Sequence, residues 1–153
     1  MREVLLVNSD SAQPPELNVL GEAVTVFGGE QNGKPFEVHL QEGNKGGGPP
    51  PHYHPWDEAF FVLEGEVRVE AGGQTADVGP GGYVHIPGGT LHAYENLTDT
   101  ARLLAVVSDP VGGQVFREMD AEVRSLPDDL HKVFEIGRRH GVVFPQAENE
   151  AKT

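Results

Sequence analysis

Apolar and polar residues alternate in short runs through the middle of the chain, and the period lengthens near its C-terminal end. Phe36-Glu-Val-His-Leu40 and Glu66-Val-Arg-Val-Glu70 alternate strictly, the period of a half-buried strand, because successive side chains point to opposite faces. Val24–Phe27, Thr75–Val78, Tyr83–Ile86, His92–Asn96 and Arg102–Val107 are further short runs of strand character. Ala59–Leu63 is apolar throughout, which predicts a strand covered on both faces. Turn residues separate the runs, and Gly72-Gly73 is placed to close a hairpin. The chain carries 20 Gly and 12 Pro without any period, a pattern of many strands and tight turns rather than of disorder.

Near the C-terminus Leu130, Val133, Phe134 and Gly137 recur at helical spacing. Pro127 is expected in the first turn, with Asp128 and Asp129 at the positive end of the helix. Arg138, Arg139 and His140 follow in the last turn, and Gly141 is placed to cap it. Val133, Phe134 and Ile136 need an apolar partner, which predicts a homodimer or larger assembly. Gln146–Thr153 is polar and expected to fray. No repeat or composition shift divides the 153 residues, so 1–153 reads as one domain. Its strand-built body covers about 20–110 and its helical appendage about 125–141.

Charge and composition narrow the function. A formal net charge of −13 repels a phosphate backbone or an anionic membrane, so nucleic acid and membranes are not expected partners. The absence of cysteine removes disulfides, thiolate ligands and a cysteine nucleophile. The apolar run Val4–Val7 is too short for the core of a signal peptide, and a cytoplasmic location is expected. No G-x-S-x-G setting supports a serine triad, and Gly46-Gly47-Gly48 runs into prolines rather than a helix start.

Chemistry concentrates in two runs. In the first, His52 and His54 flank Tyr53 and Glu58 follows four positions on, while Pro49–Pro51 stiffen the approach. On an extended chain the two histidines share a face and Tyr53 points away. In the second, His92 stands just after the turn Pro87-Gly-Gly89. Three imidazoles and one carboxylate suit one divalent transition metal (Fe, Mn, Ni, Co, Cu or Zn) with positions left open. Phe60 shares the strand parity of Glu58 and Tyr94 that of His92, which makes both candidates for a substrate pocket over the metal. Plain core filling accounts for Phe60 equally well, whereas the Tyr94 hydroxyl needs a partner if buried. His39 and His85 fall on the polar side of their local alternation, and His131 and His140 on the helix, where exposure or the helix dipole accounts for them.

These residues resemble the two motifs of the cupin superfamily. Gly46, His52, His54, Glu58 and Gly65 fill the pattern G-x5-H-x-H-x3-E-x6-G, and Gly81, Pro87, Gly89, His92 and Asn96 fill G-x5-P-x-G-x2-H-x3-N. The resemblance implies an all-β fold, an antiparallel jelly-roll β-barrel with a short C-terminal helix, holding the metal on His52, His54, Glu58 and His92. The stretch from Pro49 to Gly65 and the C-terminal helix look most like small cupins related to quercetin dioxygenases. That implies a metal-dependent dioxygenase acting on a small hydroxylated or enolisable molecule, with Glu58 as catalytic base. The same site also suits an isomerase, epimerase or lyase acting on a small sugar or acid, or a barrel that binds a small ligand or metal without turnover.

Overall fold

The computed structural model describes residues 4–28 and 35–150. Among the described residues nine strands run in chain order: β1 (Glu16–Val19), β2 (Glu22–Gly28), β3 (Glu37–Gly43), β4 (Glu58–Glu64), β5 (Val67–Ala71), β6 (Gln74–Val78), β7 (Tyr83–Ile86), β8 (His92–Asn96) and β9 (Ala101–Val107). They form a six-stranded sheet of order β1-β2-β3-β9-β4-β7 and a three-stranded sheet of order β6-β5-β8. Every pairing is antiparallel. The expected jelly roll is therefore present as two packed sheets, although they do not close into a continuous barrel.

Phe60 and Val62 of the larger sheet meet Val67, Val69 and Tyr94 of the smaller one in a buried cluster between the layers. A second cluster lies where helices cover the open end. It joins Val24 and Val107 to Val115 and Met119 of α1 (Gly112–Glu122), Val133 and Ile136 of α2 (Leu130–Arg139), and Phe144. A third helix, α3, spans Pro145–Glu150.

Several expectations are corrected. Strand β4 is covered on one face only: Phe60 and Val62 are buried, while Phe61 and Leu63 are 43% and 41% exposed. In β3 the polar residues Glu37, His39 and Gln41 face inward, because they line and bound an interior cavity rather than an oily core. The short β1 and helix α1 were not legible, since four residues give little periodicity and α1 opens on Gly112-Gly113, poor helix formers. Pro127 sits in the turn before α2, not in its first turn, and Asp129 is the N-cap. Residues 145–150 are helical where fraying was expected.

The end of α2 follows the predicted cap. Gly141 takes φ +83°, and the Val142 amide donates to the Gly137 carbonyl at 2.9 Å, the long bond of a Schellman motif. Val133 and Ile136 are fully buried within this chain, so the helix has its apolar partner at home and these residues supply no argument for a homodimer. Among the described residues no helix is long and apolar enough to cross a membrane.

Candidate metal centre

The segment carrying His52 and His54 is a short extended stretch held on both sides. His52 and His92 exchange both backbone hydrogen bonds, at 3.0 and 2.9 Å. Tyr53 does the same with Val143, beyond α2, at 3.0 and 2.9 Å. The alternation that sends the Tyr53 amide toward the C-terminal segment sends those of His52 toward β8. Glu58 begins β4 and His92 begins β8, so the two sheets converge at this point.

The side-chain nitrogens and carboxylate of His52, His54, Glu58 and His92 lie within 4.8 Å of one another. Glu58 Oε2 is 3.0 Å from His54 Nε2 and 3.3 Å from His92 Nε2. Two donors each about 2.1 Å from a shared ion lie about 3.0 Å apart when they subtend a right angle. The Glu58–His54 and Glu58–His92 spacings therefore fit a shared first-row ion.

The other ring nitrogens are already committed. His52 Nδ1 donates to the Pro50 carbonyl at 2.9 Å, His54 Nδ1 to Trp56 at 3.0 Å, and His92 Nδ1 to Thr90 at 2.8 Å. Each imidazole is thereby fixed as the tautomer with a lone pair on Nε2, the nitrogen that faces Glu58 or its neighbours. Trp56 stacks on the His54 ring at 4.4 Å and 8°, and Phe144 flanks His52 at 5.6 Å.

The electrostatics keep the site ready for a cation. Burial pushes the His52 imidazole down to about 4, helped by His92 and opposed by Glu58. Burial alone would raise the Glu58 carboxyl, but the His54 and His92 rings beside it outweigh burial and hold the group below the ordinary carboxylate range. A neutral His52 imidazole close to an ionised Glu58 carboxylate is the arrangement that metal binding needs.

Two small cavities meet at the cluster. One, of about 80 Å³, is lined by His39, His52, His54, Glu58, Phe116 and Phe144 among others. The other, of about 70 Å³, shares His52, Glu58 and Phe116 and adds Glu22, Phe60 and Tyr94. Phe60 and Tyr94 thus stand in the cavity wall, in edge contact at 5.6 Å. The Tyr94 hydroxyl is already donated to Gln41 at 2.8 Å, so its ring, not its hydroxyl, is what the cavity meets. Burial, with Glu22 and Glu58 nearby, lifts that phenol well above its usual value. Burial likewise raises the Glu22 carboxyl, against the hydrogen bond from Asn96.

Sequence reasoning missed the cap over these cavities. Met119 and Phe116 on α1, and Phe144 after α2, carry no motif, and the i, i+3, i+4 spacing of Val115, Phe116 and Met119 is the one signal that could have found the α1 residues. Leu20 and Pro49 line both cavities and also an outer groove of about 480 Å³, so they form the partition between interior and solvent. His85 lies apart, 49% exposed and paired with Asp57 at 3.1 Å.

Comparison with known proteins agrees with this geometry. Residues 36–107 match the model of the cupin domain. The chain is 30% identical to quercetin 2,3-dioxygenase of Bacillus subtilis over 94 residues, 53% of this chain and 28% of that enzyme. It spans 54% of the length of two further curated relatives. Among solved structures, an RmlC-like cupin from Shewanella frigidimarina superposes with a TM-score of 0.60 at 19% identity, covering 72% of this chain and 95% of that one. The polyketide cyclase RemF from Streptomyces resistomycificus gives a TM-score of 0.55 at 26% identity, covering 69% and 78%.

Proposed function

Because the chain belongs to the cupin superfamily, we propose that it is a metal-dependent oxidoreductase, a dioxygenase acting on a small hydroxylated or enolisable organic molecule. The observation that carries the reading is the set of three Nδ1–H···O=C bonds that aim three Nε2 lone pairs at one carboxylate. His52, His54, Glu58 and His92 would hold the ion. It supplies a Lewis acid, and with a single carboxylate in its shell it leaves net positive charge to hold a deprotonated substrate oxygen. The likeness to a quercetin dioxygenase supports oxygen chemistry over isomerisation or simple binding.

Each residue then has a definite task. Half-buried His52 and buried His54 and His92 would hold the ion and keep bulk water from it, Phe60 and Tyr94 would present ring surfaces to the substrate, and Glu58 lines the cavity where it would take a proton from a substrate hydroxyl. Cavity size sets the substrate class. Volumes of about 80 and 70 Å³ compare with about 150 Å³ for a dry cavity that admits benzene and about 300–1,000 Å³ for drug-sized ligands. The structure therefore favours a molecule of at most one ring over a polycyclic flavonol.

The test pairs metal analysis with oxygen uptake. Enediols, 1,3-diketones and small 2-hydroxy acids are offered to protein loaded separately with Fe, Mn, Co, Ni, Cu and Zn. Oxygen consumption by one loaded form is expected, and Glu58→Gln, fully loaded, should lose on the order of 10²–10⁴ in rate if it is the base. Full native-site occupancy in a His52→Ala/His92→Ala variant would remove the assigned ligands, and a parental rate in loaded Glu58→Gln would leave Glu58 a ligand only.

A further inference from the structure

A second built polar group stands at the same cavity, whose wall includes His39. Glu37 and His39 lie on β3 and are 0% and 1% exposed, with His39 Nε2 2.8 Å from Glu37 Oε2. The Gly113 amide at the start of α1 donates to the same Oε2 at 2.6 Å, where the positive end of the helix favours a carboxylate. The approach depends on bare backbone. A Cβ on Gly113 would come within 2.8 and 2.9 Å of the Glu37 oxygens, and one on Gly112 within 3.1 Å of His39 Cε1. Phe116 closes the remaining side with an edge contact at 4.8 Å. His39 is therefore clamped by its partner, by the helix start and by an aromatic ring.

Its free end is the informative part. A carboxylate oxygen can only accept, so with Glu37 as carboxylate Oε2 takes both the Gly113 amide and His39, which places the imidazole proton on Nε2. His39 Nδ1 then carries a lone pair, and it has no hydrogen-bond partner among the described residues although it is buried. A buried acceptor without a partner is costly, and native structures rarely leave one without a reason. His39 lines the cavity that also touches His52, His54 and Glu58. Along the sheet, His39 pairs with Ala105 and Ala105 with Phe60, so a methyl group, not a large side chain, separates the dyad from the wall beside Glu58.

We infer that His39, oriented by Glu37, is a specificity-determining residue that accepts at Nδ1 a hydrogen bond from a hydroxyl of a small ligand whose other end lies at the His52–His54–Glu58–His92 cluster. The inference rests on the proposed metal site for the anchoring of that other end. It narrows the ligand to a short molecule with a metal-binding oxygen at one end and a hydroxyl donor at the other.

The experiment uses zinc-loaded full chain and two probes, 3-hydroxypropanoate and propanoate, which share the carboxylate and differ in the hydroxyl. The parent is expected to prefer the hydroxylated probe by about 5- to 10-fold in Kd, the worth of one such bond. His39→Leu should lose that preference with propanoate affinity and zinc content unchanged, and His39→Asn, with an amide oxygen near the Nδ1 position, should recover part of it. On metal-free protein, long-range ¹⁵N–¹H NMR should show His39 protonated on Nε2 and bare on Nδ1. In Glu37→Met the oxygen that faces His39 Nε2 is removed, so the Nε2 proton loses its acceptor, the Nε2-protonated form should no longer dominate and the hydroxyl preference should fall. This second variant retains a decisive reading should His39→Leu not fold. Equal preference in parent and His39→Leu, a proton on His39 Nδ1 in the parent, or no binding of either probe to zinc-loaded parent overturns the inference alone. A chain that takes up no zinc overturns the proposed metal site with it.

Discussion

Acid should destabilise the metal-free protein through His52 in a window that other groups leave readable. Its imidazole is pushed down to about 4 from an ordinary value of 6.5, by burial first and by His92 second. Between those two values the unfolded chain binds a proton that the folded imidazole does not, so stability falls as pH falls through the window. The gap corresponds to about 3 kcal/mol in full, and to about 2 kcal/mol between pH 6.5 and pH 5. Glu58 contributes with a different range. Its carboxyl is held down in the folded state, so its stabilisation is present above the unfolded value of 4.5 and is lost only as pH drops below that. Glu22, raised by burial, gains protons on the folded side and acts in the opposite direction, equally in parent and variant.

The assay follows from that separation. Chelator-treated parent and His52→Gln are unfolded with urea near pH 7 and near pH 5, and the pH-dependent loss is compared between them. The parent should lose about 2 kcal/mol more than the variant across this interval. Whatever His52→Gln costs through the Pro50 carbonyl bond is common to both pH values and drops out of the difference. Identical losses in the two proteins would refute the claim that this imidazole is buried away from its proton.

Two further substitutions test the C-terminal clamp. Gly137→Ala in α2 would gain about 1 kcal/mol of helix propensity on an open surface, but its Cβ would come within 2.7 Å of Phe144 Cε2 and 2.9 Å of the Val142 carbonyl. Overpacking of about 1–3 kcal/mol should win and lower the thermal midpoint, and a raised midpoint would contradict the packing described. Phe144→Ala removes a ring 5% exposed that flanks His52 and Phe134, so it should cost about 3–5 kcal/mol in urea unfolding and weaken metal binding in a competition titration.

Much of this architecture was readable in the chain because its rules are local. The ligands of the candidate site stand in fixed spacings within two short runs, and backbone geometry alone carries His52 and His54 to one side of an extended segment. The alternation of Val67 and Val69 predicted their burial correctly. The same alternation misled in β3, where Glu37, His39 and Gln41 are the inward set. Burial there is set by partners far away in sequence, namely Gly113 for Glu37 and Tyr94 for Gln41, and no window of neighbouring residues reports them. Apolar runs likewise could not tell that Phe61 and Leu63 lie on an uncovered outer face, since hydrophobicity states what a side chain prefers and not what the fold provides.

That division bears on function. The candidate metal ligands are packed into the motifs, but the residues that bound the cavity come from elsewhere: Leu20 from the β1–β2 turn, Phe116 and Met119 from α1, and Phe144 from the segment bonded to Tyr53. Leu20 is held at φ +54°, a conformation that costs a branched side chain about 1–2 kcal/mol, and it stands in the partition between the cavities and the outer groove. Strain retained at the mouth of a cavity is consistent with a side chain kept for what it blocks. Two chains with identical metal motifs but different residues at 20, 116 and 144 would hold the same ion and admit different molecules, which is why the motifs alone name the chemistry more sharply than the substrate.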